Sequence, residues 1–104
     1  MNIYPAEIEN LLIGHPKVMD VAVIGVPDED LGEKVIAVIQ PMDWSDTTDS
    51  VREEIIQWLR PQLSSVKMPK RIDFERELPR HPTGKLLKRL VRDRYWGKSD
   101  TTHV

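Results

Sequence analysis

Cysteine is absent from the chain, so neither a disulfide framework nor a thiolate metal site is open to it, which suits a reducing compartment. No apolar run approaches the roughly 18 residues that a membrane-spanning helix needs. The N-terminus also lacks the charged-then-apolar layout of a secretory signal. A cytoplasmic protein with no membrane span is the expectation. Aromatics are scarce, at 6%, and Trp44, Trp58 and Trp96 are too scattered to form a base-stacking platform; packing in a core or interface accounts for them better. No arrangement of serine and histidine suggests a nucleophile. His15, His81 and His103 stand apart from metal-ligand spacing, and two of them precede a proline, so no metal site is expected. Gly84-Lys85 has Pro79 where a phosphate-binding loop needs its first glycine, and Leu86 where it needs Ser or Thr. That excludes a P-loop.

What is present fits one small domain, residues 1–104. This length supports a single core but is short for an enzyme that must enclose two substrates. The net charge of −2 hides a strong asymmetry, because Lys67 to Lys98 carries eleven Lys or Arg against four Asp or Glu. A basic third of this kind favours a phosphate-bearing partner or an acidic protein surface, while the acidic remainder disfavours general duplex binding. The same charges also suit the exposed faces of one strand and one helix.

The hydrophobic pattern gives the element order α-β-β-α-β-α and an α+β fold, a small central sheet of three main strands flanked by three helices. The first helix has Pro5 at its start, Glu7 and Glu9 where the helix dipole favours acids, Ile8, Leu11 and Leu12 on one face, and Gly14 at its end. Val18 to Val26 and Val35 to Ile39 are β-branched, nearly continuous runs. They read as buried strands, made antiparallel neighbours by the short polar turn Pro27 to Gly32. Pro41 to Asp49 reads as a loop. Asp49 or Ser50 then caps a second helix with Glu53 or Glu54 near the capping-box position, and Val51, Ile55, Trp58, Leu59 and Leu63 at helical spacing. Arg71 to Glu75 alternates as an edge strand does. Residues 97–104 are expected to fray.

Pro79-Arg80-His81-Pro82-Thr83-Gly84-Lys85 is the stretch on which a functional reading turns. Two prolines fix φ and withhold two backbone donors, and Thr83-Gly84 adds a capping residue and one without a side chain. With Leu86, Leu87, Leu90 and Val91 at one-face spacing, the pattern predicts a helix following at once, with Lys85 in its first turn. A cation there opposes the helix dipole at a cost of about 0.3–1 kcal/mol. Local rules broken in this way often mark function, and a lysine beside a glycine suits an anionic ligand close to the backbone. A solvated lysine on a basic helix is the competing account.

Several motifs in order carry a resemblance. Asn2-Ile3-Tyr4-Pro5-Ala6-Glu7-Ile8-Glu9, His15-Pro16-x-Val18, Val23-x-Gly25-Val26-Pro27-Asp28, Gly32-Glu33, Lys67-x-Pro69 and Leu78-Pro79-Arg80-x-Pro82-Thr83-Gly84-Lys85 together resemble the C-terminal domain of the AMP-forming acyl-CoA synthetases. These belong to the adenylate-forming superfamily, and the resemblance spans about residues 2 to 96. It implies a mobile lid on a large N-terminal domain that holds ATP and the carboxylic acid. Lys85 would be the catalytic lysine of adenylation, with Gly84 and Thr83 on the nucleotide side. After a large rotation, the face near Asn2, Ile3, Tyr4 and Pro5 would serve the CoA step.

The implied whole is a fatty or aryl acid–CoA ligase using ATP, Mg²⁺ and CoA, with acyl-adenylate as the intermediate. None of these is expected to bind the domain alone, which is expected to be inactive, and nucleic acid is not an expected partner. The family's tunnel glycine falls just before Met1 and its hinge further upstream, so the chain is expected to be a cut-out domain. A peptide-synthetase adenylation subdomain, a free-standing basic-faced binding module, and an interaction domain that has lost its chemistry remain alternatives.

Overall fold

The computed structural model describes residues 5–30 and 32–100, with side chains described to Trp96. Three helices, α1 (Pro5–Leu12), α2 (Asp49–Leu59) and α3 (Lys88–Asp100), surround a sheet of β1 (Val18–Asp28), β2 (Gly32–Pro41) and β3 (Arg71–Phe74). Strand order is β1-β2-β3, with β1 antiparallel and β3 parallel to the central β2. The expected order and class are both found. Pro27 and Asp28 extend β1, and Gly32 to Lys34 extend β2, so the expected turn tightens around Glu29 and Asp30.

Strand alternation sorts the apolar residues into two layers. Val21 and Val23 of β1, Ala37 and Ile39 of β2 and Ile72 of β3 join Ile8, Leu12, Val51, Ile55 and Leu59 from α1 and α2. On the opposite face Ala22, Ile24, Val26, Ile36 and Val38 pack with Leu78 and with Val91 of α3. Both faces of the β1–β2 pair are thus covered, which is why these strands read as continuous apolar runs. An irregularity in the β1–β2 register lies between Val18 and Asp20. The extra residue reverses the alternation, so Val18 and Val21 share the α1–α2 layer and Asp20 falls in phase with Ala22 on the other side.

Among the described residues the outer edge of β1 has no strand partner, and side chains close it. The Val21 amide donates to Asp20 Oδ1 at 2.9 Å, and the Val23 amide to Glu9 Oε2 at 2.8 Å. Trp96 Nε1 donates to the Gly25 carbonyl at 2.8 Å. These contacts blunt an edge that would otherwise invite pairing.

Two helix starts differ from the sequence expectation. The cap of α2 is Thr48, whose hydroxyl accepts from the Val51 amide at 3.1 Å. Asp49 and Ser50 therefore fall inside the helix, and the third helical position is Val51, so no capping box forms. The second difference is the start of α3 at Lys88, three residues beyond Lys85. Leu86 pairs with Arg80 in an isolated antiparallel bridge, and the Leu87 amide donates to the Pro79 carbonyl at 2.9 Å. These bonds occupy the backbone that would have formed the first helical turn. At its other end α3 runs to Asp100, through the first residues of the tail expected to fray.

Candidate functional site

His81 to Lys85 form a closed turn between the paired positions Arg80 and Leu86. The Gly84 amide donates to the His81 carbonyl at 2.7 Å, and the His81 amide to the Lys85 carbonyl at 2.8 Å. Gly84 has φ +96°, a left-handed backbone that a residue with a Cβ adopts only under strain. Pro82, preset for the first inner position of a turn, and Gly84 thus explain the local path. The His81 ring adds to it: Nδ1 accepts from the Thr83 amide at 3.2 Å and lies 3.0 Å from the Thr83 hydroxyl. An accepting Nδ1 places the ring proton on Nε2.

Lys85 is exposed, and its ammonium has no ion-pair or hydrogen-bond partner among the described residues. It borders a shallow groove of about 450 Å³ formed with Leu86 to Leu90. Because Lys85 precedes α3, the helix-dipole penalty expected for it does not arise. Its backbone is nonetheless fixed by the turn, and its side chain is free to reach outward. Thr83 and Gly84 are equally exposed beside it.

Arg80 ties this turn to the sheet. Its Nε and Nη2 donate to Asp20 Oδ2 and Oδ1 at 2.7 and 2.6 Å, while Nη1 donates to the Gly84 carbonyl. Asp20 is only 9% exposed, and its carboxylate accepts both from the Arg80 fork and from the Val21 amide. The hydrogen bond to Asp20 holds the Arg80 guanidinium above even its usual high pKa. Neither residue stands out as a partner of the other in the sequence, 60 positions apart. The available signal is a lone acid inside an apolar strand, since a charge buried there requires a counter-charge.

Of the residues expected on the CoA side, Asn2, Ile3 and Tyr4 lie outside the described residues. Pro5 opens α1 and borders a second groove, of about 420 Å³, with Val23, Gly25, Glu33, Lys88 and Arg92. Lys85 does not line this groove. The two grooves adjoin, with Lys88 and Arg89 lining both, and the described members of the two expected residue sets border different ones. Lys88, which lines both grooves, has its Nζ 2.6 Å from Glu9 Oε2, which joins α3 to α1. Among the described residues, no three His, Cys, Asp or Glu side chains converge as metal ligands, and no helix is long and apolar enough to cross a membrane.

Residues 7–85 match the family described as the AMP-binding enzyme C-terminal domain. The chain is 45% identical over 98 residues to the fatty acid–acyl-carrier-protein ligase ScoC of Streptomyces coeruleorubidus, covering 94% of this chain and 18% of that protein. It is 47% identical over 94 residues to a feruloyl-CoA synthase of an Amycolatopsis species, covering 90% of this chain and 18% of that enzyme. A Mycobacterium tuberculosis fatty acyl CoA synthetase superposes with a TM-score of 0.82 at 40% identity, over 94% of this chain and 19% of that one. The chain thus spans about one-fifth of the length of these relatives. With the match running from α1 through the turn to Lys85, the chain belongs to the AMP-binding enzyme C-terminal domain family.

Proposed function

We propose that this chain works as the mobile C-terminal domain of an ATP-dependent carboxylic acid–thiol ligase, acting on a fatty or aryl acid with CoA as the acceptor. The observation that carries this is the Lys85 turn, where a backbone closed by hydrogen bonds presents, at an exposed tip, an ammonium with no partner among the described residues. In the first half-reaction a carboxylate oxygen attacks the α-phosphorus of ATP, pyrophosphate leaves, and an acyl-adenylate forms. Negative charge develops on the phosphoryl oxygens, and an ammonium held beside them lowers that barrier. Lys85 supplies the ammonium, and Gly84 leaves room for the nucleotide to approach the backbone. In this reading Mg²⁺ would enter with ATP, bound to its phosphates.

In the second half-reaction the domain turns about a hinge and presents the α1 face, at Pro5, to the incoming thiol. The grooves bordered by Lys85 and by Pro5 adjoin at Lys88 and Arg89, so in this reading the surfaces used in the two half-reactions meet at the start of α3.

The test is Lys85→Ala in a full-length ligase carrying this chain as its C-terminal domain, with the half-reactions measured separately. Acyl-adenylate formation should fall by about 10²–10³, the usual effect of losing one such contact. Thioester formation from supplied acyl-adenylate and CoA should stay within a few-fold. Lys85→Arg should recover little, because a planar fork does not replace a compact ammonium. Equal losses in both half-reactions, or none in either, would refute the assignment.

A further inference from the structure

The hydrogen bonds within the His81–Lys85 turn close it, but alone they set neither how firmly it stays closed nor its orientation on the sheet. That orientation depends on what links the turn to β1 and β2. Leu78 contributes by packing between the sheet and α3 and by donating its amide to Gln40 Oε1 at 2.9 Å. Beyond Leu78, Arg80 reaches both ways. One edge of its guanidinium, Nε and Nη2, is paired with Asp20 on β1, and the remaining nitrogen, Nη1, donates to the Gly84 carbonyl. That carbonyl belongs to the peptide bond joining Gly84 to Lys85. A single planar group thus bridges the core sheet and the peptide that carries the lysine.

We propose that Asp20 and Arg80 form a positioning clamp that fixes where the Lys85 side chain leaves the domain, and that the adenylation step depends on this clamp; the functional half rests on Lys85 serving adenylation. Lysine has a long flexible stem, so its ammonium is only as well placed as its backbone origin. A displacement near 1 Å at a reacting centre costs about 10²-fold in rate. The register irregularity after Val18 supports the assignment, because it brings the Asp20 carboxylate onto the α3 side, where the turn lies. Burial supports it too, since the Asp20 side chain, 13% exposed in an apolar strand, is held there by the Val21 amide and the Arg80 fork. Arginine suits this geometry and lysine does not, as three contacts in one plane need the rigid fork.

Arg80→Lys and Asp20→Asn test the clamp at two levels. In the 104-residue chain, amide exchange at His81 and Gly84 should accelerate at least about ten-fold in both variants, while Ile36 to Ile39 exchange as in the parent. In the full-length ligase, Arg80→Lys should lower kcat for acyl-adenylate formation by about ten- to a hundred-fold, with KM for ATP within two-fold. Thioester formation from supplied acyl-adenylate should be unchanged. The double variant should be no worse than the weaker single one, because both break the same link. Unchanged exchange at His81 and Gly84 overturns the clamp. So does a parallel loss in exchange protection of the sheet and in both half-reactions, which is the signature of a general structural role. If Lys85→Ala retains adenylation while exchange in the turn responds as stated, the clamp stands and its catalytic purpose is overturned. If Lys85→Ala is inactive and Arg80→Lys is fully active, Lys85 keeps its role and the clamp loses its own.

Discussion

Glu9 joins three elements, and its replacement separates two contributions that are usually confounded. One carboxylate oxygen accepts the Val23 amide at 2.8 Å and lies 2.6 Å from Lys88 Nζ. Val23 is fully buried, and its amide faces the edge of β1 that lacks a strand partner among the described residues. In Glu9→Ala that amide loses its acceptor. A buried donor left unsatisfied costs about 1–3 kcal/mol, and the partial exposure of the site places this example near the lower half. The ion pair with Lys88 adds about 0–1 kcal/mol, as the lysine is 37% exposed. The sum is roughly 2 kcal/mol, or about 8–16 °C in Tm for a domain of this size. Glu9→Gln keeps an oxygen for the Val23 amide and loses only the charge, so it should cost about 0.5–1 kcal/mol.

Urea and thermal unfolding of both variants, with Lys88→Ala alone and in combination, supply the measurement. Lys88→Ala should cost no more than about 1 kcal/mol. A Glu9→Gln loss as large as that of Glu9→Ala would show that the amide is not the source. A Lys88→Ala loss matching Glu9→Ala would assign the effect to the ion pair and refute the edge-closing role.

The cluster between β3 and α3 should set both pH limits of stability. Burial raises the Asp73 pKa, but hydrogen bonds from Arg71 and Tyr95, with the charges of Arg71 and Arg52, outweigh it and hold the carboxyl below its ordinary 3.8. Its stabilisation is therefore complete above that value and is lost as pH falls through the lower folded pKa. Burial, then the hydrogen bond to Asp73, pushes the Tyr95 phenol well above its ordinary 10.0. That contribution is present below pH 10 and is lost as pH rises through the folded value. Urea midpoints across pH should show the acid limb flattened in Asp73→Asn and the alkaline limb flattened in Tyr95→Phe; unchanged limbs would count against the cluster. Amide exchange should be slowest at Ile36 to Ile39, where β2 is bonded on both sides, and slower exchange in β3 would contradict this layout.

The strands were legible because burial on two faces leaves an unambiguous mark, and Val21 to Ile24 and Val35 to Ile39 have no polar interruption. Asp20 is where that legibility ends. A register irregularity after Val18 decides which face its carboxylate takes, and no local propensity distinguishes one outcome from the other. The cap of α2 failed for a related reason. Thr48, Asp49 and Ser50 are all competent caps, and tertiary burial of Val51, Ile55 and Leu59 sets the helical phase that selects Thr48. In the site, the turn was legible from Pro82 and Gly84, whereas its attachment through Arg80 to Asp20 was not. That link joins residues far apart in sequence, and only the folded sheet brings them together.

The start of α3 shows how a misplaced boundary alters an argument about function. Leu86, Leu87, Leu90 and Val91 have helical spacing, yet Leu86 meets the α3-side core from the paired arm of the turn, and Leu90 is 46% exposed. Spacing alone does not tell a helix from a turn that reaches the same layer. With Lys85 outside the helix, no dipole penalty remains to be explained by function. What singles out the lysine is instead its restraint, a backbone closed at Gly84 and His81 and tied to Asp20 through Arg80, carrying a side chain without a partner among the described residues. Removing an exposed, unpartnered side chain changes stability by no more than about 0.5 kcal/mol. A selective adenylation defect in Lys85→Ala would therefore report on the chemistry at its ammonium rather than on the fold that holds it.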